Sequence, residues 1–573
     1  MLDTEGFRRA GHAAIDAICD YYKKLDELPV QAQVEPGFLW KQLPHSVPEE
    51  GESWSEIDKD FHKIIMPGMT NWQSGSFAAY FPGNATFEGA LGDLYANAVS
   101  NPGFNWACSP SVTELEILTV DWWAKMLGLD PAFWSNSLHS KGGGVILGSA
   151  TEACLTVAIA ARERAISALA KTCPPPAQTA TDHQDLQATV TNGSHNAVLN
   201  GKHKALPNGG QNGTIANGTH SAHNDESESD SDAVEPQGDF AVAKWRGNLT
   251  SRLVLYATTQ THSIACKVAS LLGLAFRALE VRAEDAYALR GHTLKAALEE
   301  DTKAGRVPFM LVLTVGTTSS GAVDNITEVG EVARHYPNLW LHVDAAYAGV
   351  ALALPELRQS SHLEAINAHV DSFSTSAHKW GLVQLECSPL HVKDRGALTR
   401  ALTITPEFLR TKEGDAGSVL DLRNMQLSVG RRFRSLKLWF VLRSYGVKGF
   451  QAHLRHGIAC AKIFETTMRK HGHLFEFVAP PRWSLNVFRL NPDKIKGLSE
   501  ALDKLNEDFM ARLNARSAEL TLTQTRLPEI GFCIRYAIGS PQLQEHHVHS
   551  AFQVILECAN DTLKANQIFL TAL

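Results

Sequence analysis

The sequence lacks the features of a membrane-bound, secreted or nucleic-acid-binding protein. No stretch approaches the ~20 uninterrupted apolar residues that span a bilayer, and residues 307–315 are short enough to be a buried strand. The first residues mix charges into a helical pattern and contain no apolar signal-peptide core. Basic residues are not in excess, because 53 Lys and Arg stand against 61 Asp and Glu. We therefore expect a cytoplasmic globular protein with no membrane or nucleic-acid partner.

Paired cysteines are also missing. The 9 cysteines are scattered, without the spacing of a metal site or of a disulfide framework. We expect them to be reduced thiols that behave as small buried hydrophobes, and we predict no bound metal.

One long segment has little apolar content. Residues 172–247 are rich in Asn, Gly, Ser, Thr and His and end in an acidic run. Such a segment cannot bury enough apolar surface to offset the entropy of ordering, so we predict a disordered insertion. The 573 residues are too many for a single core. We expect three parts, residues 1–85, 86–398 with the insertion, and 399–573.

On both sides of the insertion, short β-branched runs alternate with amphipathic helical stretches. This order is typical of successive β-α units and predicts an α/β fold with a parallel sheet. Ligands are expected at the carboxyl ends of such strands. The part from residue 399 onward is richer in helical patterns and ends in mixed strands and helices, which predicts a smaller lobe.

Two charged residues end apolar runs within the predicted sheet. Asp344 closes the run LHVD, and Lys379 follows DSFSTSAH. A lysine becomes a covalent catalyst when it meets a cofactor carbonyl, and an aspartate beside a pyridine nitrogen keeps that nitrogen protonated, so that the ring accepts electrons. Separately they are compatible with a surface lysine and a helix cap. Together they indicate pyridoxal phosphate (PLP).

A glycine-rich turn and a histidine extend this set. In GGGVILGSATEACL, Ser149, Ala150 and Thr151 open a helix whose unpaired amides suit a phosphate group. His262 follows a strand and can lay its imidazole on a flat ring. Alone, the turn is compatible with a plain helix cap and His262 with a core histidine.

These segments resemble the group II PLP-dependent decarboxylases, and most closely the aromatic L-amino acid decarboxylase family. The resemblance covers most of the chain outside the insertion, in ordered blocks at residues 72–82, 103–116, 142–153, 316–326, 342–349, 376–380 and 429–449. It implies a fold-type I, aspartate aminotransferase-like architecture with an N-terminal helical dimerisation segment, a large PLP-binding domain and a small C-terminal α+β domain. It also implies pyridoxal 5'-phosphate as cofactor and a homodimer with active sites at the subunit boundary.

The family pattern assigns roles to individual residues. It places the Schiff base on Lys379, the pyridine-nitrogen partner on Asp344 and ring stacking on His262, with Ala346 beneath the ring. The remaining cofactor contacts that the resemblance implies are Ser149, Ala150, Thr151, Thr318, Ser376 and His378. The implied walls of an aromatic substrate site are Trp72, Tyr80, Phe81, Pro82 and, from the other subunit, Phe104.

The chain departs from the family pattern in a loop that carries Asp-Tyr-Arg in typical members. Here these places hold Asp421, Leu422 and Arg423. The tyrosine hydroxyl is the family's expected proton donor to the α-carbon, and leucine has no proton to give. Smaller departures are Ser376 and Ala377 in place of Asn-Pro, and GNAT after Pro82.

Three hypotheses follow. The first is decarboxylation of an aromatic L-amino acid (Trp, Tyr, Phe or DOPA type) to its amine and carbon dioxide. The second, motivated by Leu422, is an aromatic aldehyde synthase that uses oxygen to give an arylacetaldehyde, ammonia and hydrogen peroxide. The third is a catalytically silent paralogue that binds PLP. His262 or a water could also supply the missing proton, so the sequence leaves the choice open.

Overall fold

The computed structural model describes residues 2–135, 139–176, 240–491 and 502–566. Within them, one sheet has seven strands and another has four. The strands of the large sheet are β1 (Gly143–Leu147), β2 (Leu253–Thr258), β3 (Ala275–Leu279), β4 (Val307–Thr314), β5 (Trp340–Asp344), β6 (Ser372–Ser374) and β7 (Ser388–Val392). Those of the small sheet are β8 (Phe475–Phe477), β9 (Leu485–Leu490), β10 (Thr523–Leu527) and β11 (Gly531–Ala537).

The helices surround these sheets. They are α1 (Thr4–Lys23), α2 (Trp54–Asp60), α3 (Phe87–Val99), α4 (Pro110–Leu127), α5 (Ala150–Ala170), α6 (Phe240–Thr250), α7 (Ile264–Leu271), α8 (Gly291–Lys303), α9 (Ile326–Ala333), α10 (Leu363–His369), α11 (Ala377–Trp380), α12 (Arg395–Leu402), α13 (Lys412–Asp415), α14 (Arg434–Lys470), α15 (Leu502–Ala515) and α16 (Glu545–Ala565). None of the described helices is both long and apolar enough to cross a bilayer. All nine cysteines are free thiols. Five of them are buried, but the expectation of burial is wrong for the four exposed ones, Cys19, Cys108, Cys173 and Cys266.

The large sheet has the order β1-β7-β6-β5-β4-β2-β3. Strands β2 to β6 pair in parallel, and β7 runs antiparallel to both of its neighbours. Because a parallel sheet is covered on both faces, its central strands are buried throughout, as β5 is. Alternate side chains of β2 enter different clusters, with Tyr256 on the face of α4 and Leu255 on the face of α5. The predicted α/β sheet is confirmed.

The predicted insertion at 172–247 lies largely outside the described residues. Its last part requires a correction, because residues 240–247 belong to helix α6. This helix is anchored by apolar contact, since Leu249 is buried and Trp245 packs against the same cluster. The Trp245 indole also donates to the Cys173 carbonyl at 3.0 Å. Two bulky apolar side chains therefore hold a helix at residues where the polar composition predicts a disordered segment.

The small lobe contains the four-stranded sheet in the order β10-β11-β9-β8, packed against α14, α15 and α16. The N-terminal part of the chain adheres to this lobe. The backbone N–H of Ala78 donates to Thr521, and that of Ala537 donates to Ala78, both at 3.0 Å. The segment before α3 therefore runs beside β11 on its way to the large sheet. The division into three domains stays a prediction.

Candidate active site

The carboxyl ends of the central strands converge on a cavity of about 160 Å³. Thr314 ends β4, Asp344 ends β5, and the turn after β6 leads into the short helix α11 with Lys379. The cavity walls include the predicted cofactor residues Ser149, Ala150, Thr151, His262, Thr318, Asp344, Ala346, Ser376, His378 and Lys379. The structure therefore brings this whole set together.

Lys379 is held in an apolar setting. Its ammonium group lies 5.5 Å from the centroid of the Phe81 ring. Burial lowers the pKa of Lys379, while the negative charge of Asp344 opposes this shift. A lysine whose charge is disfavoured more readily presents the neutral amine that attacks a carbonyl.

Asp344 lies on the floor of the cavity and is 5 % exposed. One of its carboxylate oxygens accepts a hydrogen bond of 3.0 Å from the Ala346 amide. Two strand positions earlier, His342 is fully buried, and burial lowers its pKa to about 4. The neighbouring imidazole is therefore neutral at pH 7 and does not provide Asp344 with a counter-charge.

Another part of the cavity wall is suited to a phosphate. Ser149 is the N-cap of α5 and accepts the Glu152 amide at 3.2 Å, so the cavity faces the start of a 21-residue helix. The Ser376 hydroxyl lies 3.1 Å from that of Ser388 and also lines this wall. Anions are stabilised at helix N-termini by unpaired amides and by the helix dipole.

A buried polar atom supports the fit to a polar ligand. The Thr314 hydroxyl lines the cavity and has no hydrogen-bond partner among the described residues. Buried hydroxyls are rarely left unpaired, so a polar group of a ligand accounts for this one. Lysine, aspartate, a helix N-terminus and an unpaired hydroxyl together match the aldehyde, the ring nitrogen, the phosphate and the polar edge of PLP.

Two histidines stand where this cavity opens into a larger one. The Ile264 amide donates to Nδ1 of His262 at 3.3 Å, and the Cys387 amide donates to Nδ1 of His378 at 3.0 Å. Burial lowers the pKa of both rings, that of His378 to about 4. Because Nδ1 of His262 accepts, its neutral ring carries the proton on Nε2, whereas Nδ1 of His378 also lies 2.9 Å from the Cys387 carbonyl and can donate to it.

The larger cavity, of about 740 Å³, has mainly apolar walls. They include the predicted residues Trp72, Tyr80, Phe81 and Pro82. The Trp72 and Tyr80 rings stack at 5.6 Å between centroids with 12° between their planes. The space therefore suits a flat aromatic side chain bound next to Lys379.

Arg535 on β11, which is absent from the predicted site residues, lines the same cavity and is only 3 % exposed. Its guanidinium donates to the Tyr80 carbonyl at 2.9 Å and to the Thr523 hydroxyl at 3.0 Å. The Nε–H has no partner among the described residues, and burial lowers the Arg535 pKa to about 10. A buried cation with a spare donor suits a carboxylate. A charge inside the apolar run FCIRYAI was the signal available in the sequence.

Two predicted residues do not reach the cavities of their own chain. Phe104 is half-buried outside the cavity walls. Leu422 is 1 % exposed and packs with Met425 in the apolar cluster beneath α5 and α12. The exposed ring of the same loop is Phe408, which is 84 % exposed. The assignment of Leu422 to the reaction stays a prediction.

One group of potential metal ligands occurs among the described residues, formed by Asp26, His546 and His547. The Gln544 amide donates to Nδ1 of His547 at 3.0 Å. The neutral ring therefore carries its proton on Nε2, which lies 3.0 Å from the Asp26 carboxylate. This group ties the N-terminal segment to α16 by a hydrogen bond.

The fold and this donor set define a PLP-dependent enzyme of fold-type I. Residues 36–201 and 241–491 match the model of the pyridoxal-dependent decarboxylase conserved domain, and the chain belongs to this family. Its cofactor is pyridoxal phosphate.

Similar proteins match over almost the whole chain. Tryptophan decarboxylase 2 of Oryza sativa subsp. japonica is 36 % identical over 98 % of this chain and 96 % of its own length. Phenylacetaldehyde synthase of Arabidopsis thaliana is also 36 % identical, over 98 % and 97 %. The crystal structure of Oryza sativa TDC with PLP and tryptamine has a TM-score of 0.80 and 35 % identity, covering 98 % of this chain and 99 % of that one.

Proposed function

We propose that the protein decarboxylates an aromatic L-amino acid to the aryl amine and carbon dioxide. The observation that carries this proposal is the aromatic cavity that opens from the Lys379 pocket and contains the buried Arg535 guanidinium. One cavity thus provides a cation for a carboxylate and flat apolar walls for a ring. A relative named tryptophan decarboxylase supports this substrate class.

The chain's own residues position the reacting groups. PLP supplies an electron sink when bound, and we propose that Lys379 holds it covalently while Asp344 keeps its ring nitrogen protonated. Arg535 binds the substrate carboxylate, and Trp72 and Tyr80 pack against the substrate ring. Fixing both ends of the substrate holds the bond between the α-carbon and the carboxylate in the orientation that favours its cleavage.

A second product is favoured by the composition of the loop between α12 and α14. Residues 403–433 contain no tyrosine, so neither buried Leu422 nor exposed Phe408 offers a phenolic proton to the α-carbon. Without protonation, the amino acid, oxygen and water can yield arylacetaldehyde, carbon dioxide, ammonia and hydrogen peroxide. A relative named phenylacetaldehyde synthase supports this alternative.

We propose that the enzyme is a homodimer whose subunits share their active sites. Many large apolar side chains of the first hundred residues are exposed in the single chain, among them Phe7, Ile15, Ile18, Trp54, Ile57, Phe61, Ile65, Phe87, Leu91, Leu94, Tyr95 and Val99. Exposed apolar surface of this extent is typical of an interface. Sedimentation equilibrium should give twice the chain mass of 62.6 kDa. A fully active monomer would contradict the proposal.

The free thiols support a cytoplasmic location.

Product analysis tests the function directly. Purified protein is supplied with PLP and with phenylalanine, tyrosine, tryptophan or dihydroxyphenylalanine, under air and under nitrogen. Amine without peroxide supports the decarboxylase, whereas stoichiometric peroxide and aldehyde that disappear under nitrogen support the aldehyde synthase. If PLP binds and none of the four amino acids is consumed, both proposals fail and the protein is a silent paralogue.

A further inference from the structure

One buried asparagine, Asn84, which is 2 % exposed, forms hydrogen bonds with segments of the other two predicted parts of the chain. Its backbone N–H donates to the carbonyls of His378 and Lys379 at 3.1 and 3.2 Å. Its side-chain amide donates to the Gly539 carbonyl at 2.9 Å and accepts the Leu382 amide at 3.0 Å. Asn84 therefore contacts both ends of the turn that carries Lys379 and also the small lobe.

The turn after Lys379 needs this support. Leu382 has a φ of +62°, a backbone conformation that costs energy for a residue with a branched side chain. Its N–H donates to Asn84, and its carbonyl accepts the buried Thr86 hydroxyl at 2.9 Å. Two side chains of one segment thus hold both polar groups of the unfavourable residue.

The contact to Gly539 links this turn to the arginine in the substrate cavity. Gly539 follows β11, the strand that carries Arg535. A Cβ at Gly539 would lie 2.7 Å from the Trp380 ring, so the small lobe lies very close to α11 here. The Phe81 ring, three residues before Asn84, has the Lys379 ammonium at 5.5 Å and the Arg535 guanidinium at 4.9 Å. The Phe81 ring is therefore close to both cationic side chains, and it is joined through residues 82–83 to the asparagine that holds the Lys379 turn.

We propose that Asn84 is a positioning residue that fixes the Lys379 turn relative to the small-lobe strand that carries Arg535. It thereby sets the separation between the cofactor lysine and the cation proposed to bind the substrate carboxylate. This inference rests on the proposed role of Lys379. Asn84 itself does no chemistry.

The proposal has a spectroscopic consequence. The titratable groups that act on Lys379 or lie beside it are Asp344, Arg535, His262 and His378. The positive charge of Arg535 adds to burial in lowering the pKa of Lys379, whereas Asp344 raises it. If the Asn84 side chain no longer bonds to Leu382 and Gly539, Arg535 can move away from Lys379 and water can enter the site. Both changes favour the protonated form of the linkage between Lys379 and PLP.

The test compares two buried asparagines. Asn506 has a matching pair of bonds, since it accepts the Leu490 amide at 3.0 Å and donates to Leu502 at 2.9 Å, and it lies in the small lobe away from both cavities. Asn84→Ala and Asn506→Ala are prepared as holoenzymes, and their Tm values are measured. The visible absorbance of bound PLP is then titrated with pH, and the KM for the preferred aromatic amino acid is determined.

Asn84→Ala should raise the apparent pKa of the Lys379–PLP absorbance by about 0.5–1 unit and raise KM more than it lowers kcat. Asn506→Ala should lower Tm and leave the titration unchanged. Thr86→Val removes the bond to the Leu382 carbonyl and also the N-cap bond from the Gly89 amide of α3, so it should lower Tm but shift the titration less than Asn84→Ala. Equal Tm losses with no shift for Asn84→Ala would overturn the inference. If the wild type itself shows no lysine-linked band, the proposed role of Lys379 fails instead.

Should Asn84→Ala not fold, Asn84→Ser gives the same comparison. Its shorter side chain cannot span both the Leu382 amide and the Gly539 carbonyl. A shift in the absorbance titration supports the proposal, and an unchanged titration refutes it.

Discussion

The cofactor pocket and the loop of residues 403–433 are built in different ways. The pocket consists of short motifs at strand ends, and the strands themselves are fully buried, as in β5. The loop contains only short helical turns, in which Leu422 is buried and Phe408 is exposed to solvent. The position of a residue at the end of a buried strand is fixed by the pairing of that strand in the sheet. The position of a loop residue depends instead on tertiary packing. Motif matches are therefore more informative about the pocket than about the loop.

Replacing Lys379 in the cofactor pocket is expected to have the largest effect on activity. Lys379→Ala should lose the covalent cofactor and reduce kcat/KM by roughly 10³-fold or more, because the reactive amine is gone. Absorbance of the purified protein and steady-state kinetics measure both. Lys393→Ala is the control, since Lys393 is a half-buried lysine that bonds to the Asn367 carbonyl outside the cavity. Covalent PLP retained in Lys379→Ala would refute the assignment.

The loop is fastened to the body of the protein by a buried ion pair. Glu116 and Arg431 are 0 % and 1 % exposed in their side chains, and they contact each other directly. Glu116 also accepts the β1 amide of Ile146 at 2.8 Å, while Arg431 donates to the Leu422 carbonyl at 3.4 Å. Glu116→Gln leaves the guanidinium without its counter-charge, so unfolding free energy should fall by about 3–5 kcal/mol.

Urea unfolding measures this change, and an exposed pair in the same loop is the control. The Arg410–Asp415 pair has 60 % and 47 % side-chain exposure, so Asp415→Asn should cost less than about 1 kcal/mol. Similar losses in the two variants would show that the buried pair does not anchor the loop.

The sheet beneath the pocket gives a pH-dependent prediction. His391 on β7 is fully buried, neither ring nitrogen has a partner among the described residues, and burial lowers its pKa to about 3. His391 therefore binds a proton near pH 6.5 in the unfolded chain but stays neutral in the folded chain down to about pH 3. The free energy of unfolding consequently falls as the pH decreases from 7 to 5. From these pKa values, His391 accounts for about 2 kcal/mol of that loss.

His391→Leu should remove this contribution to the pH dependence. The difference in unfolding free energy between pH 7 and pH 5 should shrink by about 2 kcal/mol. Exposed His549 provides the control, because His549→Leu should leave the difference unchanged. If His391→Leu leaves the pH dependence of the unfolding free energy unaltered, the His391 ring of the wild type must be protonated in the folded state.

The strand-end residues were predictable, and several others were not. Asp344, Lys379 and Ser149 each close or follow an apolar run, so the sequence and the resemblance bring them to one edge of the sheet. Arg535 reaches the adjoining larger cavity from a strand of the other sheet, and no local pattern shows that these two sheets meet there. Helix α6 could not be predicted from its polar surroundings, because the two side chains that hold it, Trp245 and Leu249, act only through tertiary contacts.

The two loop positions differ in what a tyrosine would do there, which gives the smallest expected effect. At Leu422 the new hydroxyl would have to enter an apolar cluster without a partner, at a cost of about 1–3 kcal/mol. At Phe408, which is 84 % exposed, the hydroxyl stays accessible, and in the proposed dimer we expect it to approach the cavity of the other subunit. Phe408→Tyr should therefore increase the ratio of amine to aldehyde about tenfold, equivalent to 1.4 kcal/mol between the two barriers. Leu422→Tyr should lower Tm and leave the ratio unchanged. Aldehyde and amine quantified from the same reaction decide between the positions, and a ratio that responds only to Leu422→Tyr would show that the loop refolds during catalysis.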